Sequence, residues 1–384
     1  MKTFSRILFA AAVCLALLAA GCAKKDVIKI GVFEPLTGAN AGGGAIELEG
    51  IKLANKLYPE VTLGGKTYKI ELVVADNKSD KVESANAVQR LITSDKVALV
   101  LGSWGSSLSI AGGEIAKDEH VPIIGLSCTN PLVTLRNDWY FRVCFIDPFQ
   151  GTVMANYAYN DIGARNAVIV REISNDYSVG LAQYFTDRFI DLTGNPDSIL
   201  GIVDYNTGDQ DFSAQLTQVK AMNPDVVFAP GNFTESALVI KQARDLGIAT
   251  PFIGGDTWET NEFLDVGGDR VEGVMFSSFY DSSYSSGDED SIARTFLTAY
   301  VKDYNKDPAA VTALGFDGYL LALDAITRAG SADPAAIRDA IAATSNFEGV
   351  TGAIIFDENG DATKPAFIKE VKDGKFVFQT LVTP

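Results

Sequence analysis

The chain has 384 residues, of which 49 are Asp or Glu, 32 are Lys or Arg and one is His. The acidic excess argues against nucleic acid and anionic lipid headgroups as partners, because both are recognised through clusters of Lys and Arg. A single histidine nearly excludes a His-based zinc site and a Ser-His catalytic pair.

The first 22 residues have the organisation of a bacterial secretory signal. Lys2 and Arg6 give a positive start, and the apolar run Ile7 to Ala20 is too short for a membrane-spanning helix, which needs roughly 20 residues. Small residues then lead to Cys22, which resembles a lipobox, where a lipid is attached to the thiol and the chain is cut just before it. Ala19 stands where Leu is usual, so the alternative is an ordinary cleaved signal with an incidental cysteine.

We therefore expect residues 1–21 to be a signal peptide and residues 22–26 a tether. The protein is then exported and held by a lipid on Cys22 at a bacterial membrane face, in the periplasm or on the outer surface of the cytoplasmic membrane. Without Lys2 and Arg6 the mature charge is 30 − 49 = −19 over 363 residues, a length for which two domains are expected. Cys128 and Cys144 remain in the folded part, and a disulfide and two free thiols are both open.

Short β-rich runs alternate with longer amphipathic stretches from residue 26 onward, as expected for βαβ units and a mainly parallel sheet. The first series of predicted elements is strand 28–33, helix 46–57, strand 68–74, helix 82–92, strand 98–101, helix 108–117 and strand 123–126. The alternation of strands and helices is interrupted at 137–147. It resumes with strand 167–170, helix 179–190, strand 199–203, helix 212–222, strand 226–229, helix 236–246, strand 252–254 and strand 273–277.

The last part of the chain opens with a polar stretch, 280–290, that is typical of a surface loop. It continues with helices at about 291–304, 312–329 and 334–343 and short strands at 353–356, 367–371 and 375–381. Two similarly wound halves predict an α/β fold of two Rossmann-like lobes with a cleft between them. We expect the first lobe to contain 27–145 and 279–352, and the second lobe 146–278 and 353–384.

Two neighbouring turns offer neutral hydrogen-bond donors at the ends of predicted strands, where small ligands bind in open α/β sheets. The first turn, Gly102 to Leu108, presents Ser106 at the start of a helix, although plain helix capping explains that serine equally well. The second turn, Gly125 to Pro131, exposes further hydroxyls. Hydroxyls and backbone N–H groups suit a carboxylate better than a metal, so we expect no metal and no cofactor.

These turns, together with Pro35-Leu36-Thr37-Gly38 after the first strand, resemble the branched-chain amino-acid binding proteins of ABC importers, the type I periplasmic binding family. The resemblance extends from about Ile28 to Phe378 and includes the landmarks 211–213 and 356–361. It implies a Venus-flytrap fold, with two Rossmann-like lobes joined by three hinge crossovers. It also implies that an amino acid is captured in the cleft and delivered to a membrane permease.

The resemblance further implies roles for individual residues. In that family the serine of the first turn and the hydroxyls of the second hold the ligand α-carboxylate, and these are Ser106, Ser127 and Thr129 here. The tyrosine that closes onto the ligand is Tyr177, and the acidic residue that pairs with the α-ammonium is Asp256. Further ligand-binding candidates are Trp104, Ser107, Cys128, Asn232, Phe233 and Trp258.

Departures from the family pattern affect which ligand side chain the cleft is expected to accept. Asp256 is one methylene shorter than the Glu of some relatives, and Asn232 or Phe233 stands where some have a second cleft tyrosine. The first-lobe loop that can carry an aromatic residue over the side-chain pocket is 41–44 here, Ala-Gly-Gly-Gly, which leaves Trp104 and a second tryptophan at 258 to shape that pocket. Packing within the protein explains each of the two tryptophans as readily as contact with a ligand does. A branched-chain or other aliphatic amino acid is the expected ligand, with its identity open.

We predict a monomeric substrate-binding component of an ABC importer that is not an enzyme. A sensor that presents an amino acid or amide to a receptor needs the same cleft, and the sequence does not separate the two. The remaining alternative is an exported α/β hydrolase. The motifs G-x-G-x-x-G, G-x-x-x-x-G-K-S/T and G-x-S-x-G are absent from the plausible turns.

Overall fold

The structure is a computed structural model and describes residues 26–283 and 290–384. The predicted signal peptide, Cys22 and the tether up to residue 25 lie outside the described residues. Segment 284–289 of the predicted polar loop lies outside them as well. The lipid anchor and its tether therefore stay predictions.

Six strands form the sheet of the first lobe. They are β1 (Val27–Glu34), β2 (Glu60–Leu63), β3 (Lys66–Asp76), β4 (Leu99–Leu101), β5 (Ile123–Gly125) and β6 (Tyr140–Arg142). Their order across the sheet is β2-β3-β1-β4-β5-β6, and every neighbouring pair is parallel except β2 with β3. The central strands β4 and β5 are short, fully buried apolar runs, because helices cover both faces of a parallel sheet.

Three helices connect these strands: α1 (Ala41–Leu57), α2 (Lys81–Thr93) and α3 (Ser106–Glu119). The chain then enters the second lobe. Its strands are β7 (Ala167–Glu172), β8 (Ile199–Tyr205), β9 (Val226–Phe228), β10 (Phe252–Gly254) and β11 (Met275–Ser278). Its helices are α4 (Asp147–Tyr157), α5 (Asp176–Thr193), α6 (Ser213–Met222), α7 (Phe233–Asp245) and α8 (Asn261–Gly267).

After β11 the chain returns to the first lobe and then leaves it again. The returning helices are α9 (Ile292–Tyr304), α10 (Ala310–Ala329) and α11 (Pro334–Ala342), followed by the hairpin strands β12 (Phe347–Gly349) and β13 (Gly352–Ile354). The last strands, β14 (Ala366–Lys372) and β15 (Lys375–Val382), join the second sheet antiparallel. That sheet has the order β15-β14-β11-β10-β9-β7-β8, so the chain crosses between the lobes three times.

Helix α10 packs closely against α1 and closes the apolar core of the first lobe. A Cβ added at Gly50 would lie 1.9 Å from the carbonyl oxygen of Thr312, and one added at Gly315 would lie 2.3 Å from that of Glu47. Glycines at both positions therefore allow the two backbones to approach. By length and composition alone α10 could span a membrane, but 78% of its apolar window is buried, as in the core helix of a globular protein.

The alternation of strands and helices in two parallel-sheet lobes is as predicted, and the lobe boundaries at 145/146, 278/279 and 352/353 stay a prediction. Five elements were not predicted: the strands β2, β6 and β12 and the helices α4 and α8. The predicted loop at 41–44 is wrong, because these residues form the first turn of α1. The N–H groups of Gly43 and Gly44 donate to the carbonyl of Asn40 at 3.1 and 3.2 Å, and this pattern starts the helix five residues before Ile46.

Candidate functional site

A cavity of about 600 Å³, called here the interlobe cavity, lies between the segments that follow β4 and β5 and those that follow β7, β8, β9 and β10. These are the carboxyl ends of strands in both sheets, where open α/β sheets bind ligands. The predicted site residues that line it are Trp104, Ser106, Ser107, Ser127, Tyr177, Asn232 and Asp256. The predicted residues that do not line it are Cys128, Thr129, Phe233 and Trp258.

The first-lobe wall of the cavity carries two buried serine hydroxyls. Ser106 Oγ accepts a hydrogen bond from the Asn130 N–H at 3.1 Å, which ties the two first-lobe turns together. The residue that precedes α3 is Gly105, whose φ of 93° suits glycine, so helix capping does not explain Ser106. Ser127 Oγ has no hydrogen-bond partner among the described residues. Both hydroxyls are therefore able to donate to a ligand.

Thr129 and Cys128 lie behind this wall and are fully buried. Thr129 Oγ1 makes no hydrogen bond within 26–283 and 290–384, and Cys128 Sγ lies 3.9 Å from the Tyr140 hydroxyl. Cys128 and Cys144 are both free thiols, which decides between the two alternatives that the sequence left open. Thr129 remains close in sequence to the cavity without reaching its surface.

A buried arginine holds the second turn in place. Arg142 in β6 donates to the carbonyl oxygens of Cys128 and Asn130 at 2.6 and 2.8 Å. Its Nε donates to Asp361 Oδ1 at 2.5 Å, and Asp361 also accepts from Thr134 Oγ1 at 2.8 Å. Asp361 belongs to the sequence landmark at 356–361. The landmark therefore contributes to the site indirectly, because Asp361 and Arg142 together hold the loop that carries Ser127.

The second-lobe wall is built around one carboxylate. Asp256 begins a short 3-10 turn directly after β10 and is buried. Its Oδ1 accepts from Gln150 Nε2 at 2.6 Å and from the Tyr177 hydroxyl at 2.9 Å. Burial raises the pKa of Asp256 to about 6, against the lowering effect of the Gln150 and Tyr177 hydrogen bonds. The group is therefore ionised at neutral pH and suited to pair with a cation.

Gln150 is a site residue that the sequence analysis missed, since it lies on the unpredicted helix α4. Its Nε2 also donates to Ser277 Oγ at 2.7 Å, so it fixes the Asp256 carboxylate from behind. Gly255 is needed for the same geometry, because a Cβ there would lie 2.0 Å from the Tyr177 hydroxyl oxygen.

Glu172 at the end of β7 was also missed. It is fully buried, lines the interlobe cavity and organises three neighbouring segments. One carboxylate oxygen accepts from Thr207 Oγ1, and the other accepts from Asn175 Nδ2 at 3.1 Å and from the Asn232 N–H at 3.2 Å. The available signal was its position at the carboxyl end of a strand, where open α/β sheets bind ligands.

Two further carboxylates are buried behind the first-lobe wall. Glu34 Oε2 accepts from the Trp104 N–H at 2.7 Å, whereas neither oxygen of Glu47 has a hydrogen-bond partner in the described chain. Burial raises the pKa of Glu47 to about 8, although nearby Ser127 and Glu34 lower it. Burial and the neighbouring Glu47 raise the pKa of Glu34 well above its ordinary value. Glu47 therefore retains its proton at neutral pH.

Trp104 fills the space that an aromatic residue at 41–44 would take. A Cβ added at Gly43 would lie 2.4 Å from the Trp104 ring, so the glycine and the tryptophan fit each other. The Trp104 ring also meets Phe233 of the second lobe edge-to-face, with centroids 5.6 Å apart. Phe233 thus supports the cavity wall through Trp104 rather than lining it.

The two remaining candidates differ in position. Asn232 lines the cavity, and its Nδ2 donates across the cleft to Asn40 Oδ1 at 3.0 Å. Trp258 is fully buried and stacks on Phe263 with centroids 5.0 Å apart, so it belongs to the core of the second lobe. Within the described residues, no group of three or more His, Cys, Asp and Glu side chains is arranged to hold a metal ion.

Comparisons with known proteins agree with this architecture. A family model described as periplasmic binding protein matches residues 27–375. The chain is 28% identical over 361 residues to Leu/Ile/Val-binding protein homolog 1 of Brucella abortus, covering 93% of this chain and 94% of the relative. It is 27% identical to a leucine-, isoleucine-, valine-, threonine- and alanine-binding protein of Pseudomonas aeruginosa, covering 88% and 87% of the two chains.

Solved structures are similar over nearly the whole described chain. The leucine binding protein LivK of Thermotoga maritima is 40% identical, with a TM-score of 0.87 and coverage of 93% and 99%. The branched-chain amino acid transporter substrate binding protein LivJ of Streptococcus pneumoniae, solved with isoleucine, is 31% identical, with a TM-score of 0.84 and coverage of 93% and 100%.

The fold and its cleft define a two-lobed solute receptor of the Venus-flytrap type, in which a small molecule is held between two α/β lobes. The chain belongs to the periplasmic binding protein family. It is accordingly an exported solute-binding protein, and the family comprises substrate-binding proteins rather than enzymes.

Proposed function

We propose that this protein is the extracytoplasmic substrate-binding component of an ABC importer and captures an amino acid in the interlobe cavity. The observation that carries the proposal is the contrast in charge between the two walls. One wall presents the neutral hydroxyls of Ser106 and Ser127, and the other presents the ionised carboxylate of Asp256. A zwitterion matches both walls at once.

The proposed binding mode assigns one ligand group to each wall. The α-carboxylate accepts hydrogen bonds from Ser106, Ser127 and the N-terminal amides of α3, where the helix dipole also favours an anion. The α-ammonium pairs with Asp256, and the Tyr177 ring closes beside it. Contacts with both lobes exist together only when the cleft is closed, so the ligand stabilises the closed form.

The ligand side chain is proposed to be aliphatic, either branched-chain or a simpler alkyl group. Trp104, Leu108 and the ring of Tyr177 supply apolar surface on the cavity lining. Relatives named for leucine, isoleucine and valine, and the isoleucine complex of the LivJ structure, support this class. Glu172 and Asn232 add polar groups to the same cavity, so the test below includes amino acids with hydrogen-bonding side chains.

A thermal-shift screen of the mature chain against the standard amino acids, simple amides and aromatic acids tests the proposal. A ligand at 100 times its dissociation constant adds roughly 2.7 kcal/mol to the free energy of unfolding. We expect the largest shift with leucine, isoleucine or valine. A shift with aromatic acids and none with any amino acid would refute an amino-acid ligand.

The partner of the loaded receptor is proposed to be the permease of an ABC importer, and the receptor itself a monomer tethered by a lipid on Cys22. Replacing Cys22 with Ser should release the protein from membranes without changing ligand affinity. Cys14→Ser is the matched control, since Cys14 lies within the signal peptide and should leave anchoring intact. Retention of the Cys22→Ser protein on membranes would contradict the lipid assignment.

Transport and sensing are distinguished by uptake. Deletion of the gene should abolish uptake of the radiolabelled ligand identified in the screen, and re-expression should restore it. Unchanged uptake, together with loss of a transcriptional or motility response to the same ligand, would favour the sensor function.

A further inference from the structure

One acidic residue of the second lobe joins the two lobes without lining the interlobe cavity. Asp176, the first residue of α5, is bound by three residues of the first lobe. Lys81 Nζ lies 2.8 Å from Asp176 Oδ2, and Asn130 Nδ2 donates to the Asp176 carbonyl at 2.7 Å. Ser107 Oγ donates to Asp176 Oδ2 at 2.7 Å and accepts from the Asp176 N–H at 2.9 Å.

Through these four contacts the backbone N–H, the backbone carbonyl and the carboxylate of Asp176 are all bound to the first lobe. Partial burial raises the pKa of Asp176, but the hydrogen bonds from Lys81 and Ser107 outweigh it and lower that pKa overall. The carboxylate is therefore charged at neutral pH, and charge-assisted hydrogen bonds are the stronger kind. The three partners begin or precede first-lobe helices: Lys81 begins α2, Ser107 lies in the first turn of α3, and Asn130 precedes a short 3-10 turn.

We propose that Asp176 is a closure latch, a residue whose contacts form only when the lobes meet and which holds the closed receptor through protein–protein bonds. Opening the cleft separates α5 from α2 and α3, so all four contacts are lost together. Asp176 directly precedes Tyr177, so the latch also positions the tyrosine that donates to Asp256. The inference rests on the proposed function only in that closure retains a ligand.

The latch acts on the equilibrium between open and closed forms rather than on the ligand. A residue of this kind lowers the apparent dissociation constant by raising the closed fraction, and its loss is felt mainly as faster release. A further hydrogen bond across the cleft, from Asn232 Nδ2 to Asn40 Oδ1, joins two neutral side chains. The pair of Lys81 and Asp176 is thus a charged link between the lobes at the rim of the cavity.

The experiment compares Asp176→Ala and Asp176→Asn with the native mature chain, using the leucine-class amino acid identified by the screen. We expect ligand dissociation measured by stopped flow to accelerate roughly tenfold in Asp176→Ala and less in Asp176→Asn, which retains an acceptor oxygen. Asp204→Asn is the matched control. It removes a partly exposed ion pair with Arg171 inside the second lobe and should leave the release rate unchanged.

A second measurement reports closure directly and does not need a ligand. Spin labels on exposed Glu114 in α3 and Asp187 in α5 give the distance distribution between the lobes. We expect Asp176→Ala to shift that distribution toward longer distances. Lys81→Met tests the same contact from the first lobe and should produce a smaller shift that is not additive with Asp176→Ala.

The outcomes separate the two claims. Native release rates and a native distance distribution in Asp176→Ala would overturn the latch. If the native chain binds no amino acid, the proposed function fails, while the ligand-free distances still decide the latch. If Asp176→Ala does not fold, Lys81→Met and Asp176→Asn carry the test.

Discussion

The two walls of the interlobe cavity differ in whether the groups assigned to the ligand already accept or donate hydrogen bonds within the protein. On the second lobe, Asp256 accepts from Gln150 and Tyr177, and both oxygens of Glu172 are hydrogen-bonded. In the described part of the chain, Ser127 Oγ on the first-lobe wall and both oxygens of Glu47 behind that wall have no hydrogen-bond partner.

The difference indicates what each wall contributes to binding. The Asp256 carboxylate, whose Oδ1 already accepts two hydrogen bonds, is fixed in place before the ligand arrives, so little ordering remains to oppose binding. An unbonded hydroxyl such as that of Ser127 gains a partner only when a ligand acceptor arrives. Since unmade buried hydrogen bonds are costly, the first-lobe wall gains more from each new bond than a bonded surface would.

The largest expected effect comes from removing the charge of the second-lobe wall. Asp256→Asn should weaken amino-acid binding by roughly 2–5 kcal/mol, because a desolvated ligand ammonium loses its charged partner. Isothermal titration calorimetry measures the change. Glu235→Gln is the matched control, since Glu235 is a buried second-lobe acid that accepts from the Gly208 N–H and does not line the cavity. Equal affinities for the native and Asp256→Asn proteins would remove Asp256 from the site.

The second prediction concerns the unsatisfied acid behind the first-lobe wall. Glu47 has a pKa of about 8 in the folded protein and an ordinary value near 4.5 when unfolded. Between those values the native state holds a proton that the unfolded state has lost, so the free energy of unfolding falls as pH rises. Glu47→Gln removes the titrating group. The fall in the free energy of unfolding with rising pH should therefore be smaller in the variant, by up to about 4 kcal/mol.

Urea unfolding of the native and Glu47→Gln proteins at pH 5, 7 and 9 checks this prediction. The two curves of unfolding free energy against pH should diverge toward high pH, with the variant above. Parallel curves would show that Glu47 does not titrate with a raised pKa. Glu34 retains its own raised pKa and will leave some dependence in the variant.

The third prediction is a pH dependence of binding on the acid side. Asp256 must be ionised to pair with an ammonium, and its pKa in the folded protein is about 6. Below pH 6 a proton competes with the ligand, so the dissociation constant should rise about tenfold for each pH unit. Binding titrations from pH 4.5 to 7.5 measure the slope. The weak binding of Asp256→Asn should be flat over the same range, and a flat native profile would argue against the assigned pairing.

The smallest effect is expected from the first-lobe hydroxyl. Ser127→Ala should weaken ligand binding by about 1 kcal/mol, because one neutral hydrogen bond to the ligand is lost. The free energy of unfolding of the ligand-free protein should hardly change, since Ser127 Oγ has no partner among the residues described here. Binding and unfolding measured on the same preparation separate the two quantities. A destabilised protein with native affinity would give Ser127 a role in the fold alone.

The sequence predicted the order of strands and helices well because buried parallel strands are short apolar runs. The prediction of helices failed where the hydrophobic pattern or the helix propensity of the residues is weak. The first turn of α1 contains Gly42, Gly43 and Gly44, which are poor helix formers, and its helical start depends on tight packing against Pro35 and Trp104. Helix α4 was missed, and with it Gln150.

The candidate site was predicted best where a side chain directly follows a strand, as with Asp256 and Ser127. Sequence position could not show that Trp258 turns into the core or that Phe233 lies behind Trp104, because both depend on tertiary packing. The contacts of Asp176 join residues 46, 69 and 95 positions apart and are likewise invisible in the linear pattern.

The packing of α10 on α1 means that the first lobe can complete its core only late in the synthesis of the chain. The two helices meet at Gly50 and Thr312, so roughly 260 residues must be made after α1 before its covering helix exists. At about 5–20 residues per second the apolar face of α1 stays uncovered for roughly 13–50 s. During that interval the first lobe lacks part of its core. Slow completion of this kind keeps a nascent chain unfolded, which is the state in which a polypeptide can be threaded through a membrane before it folds on the far side.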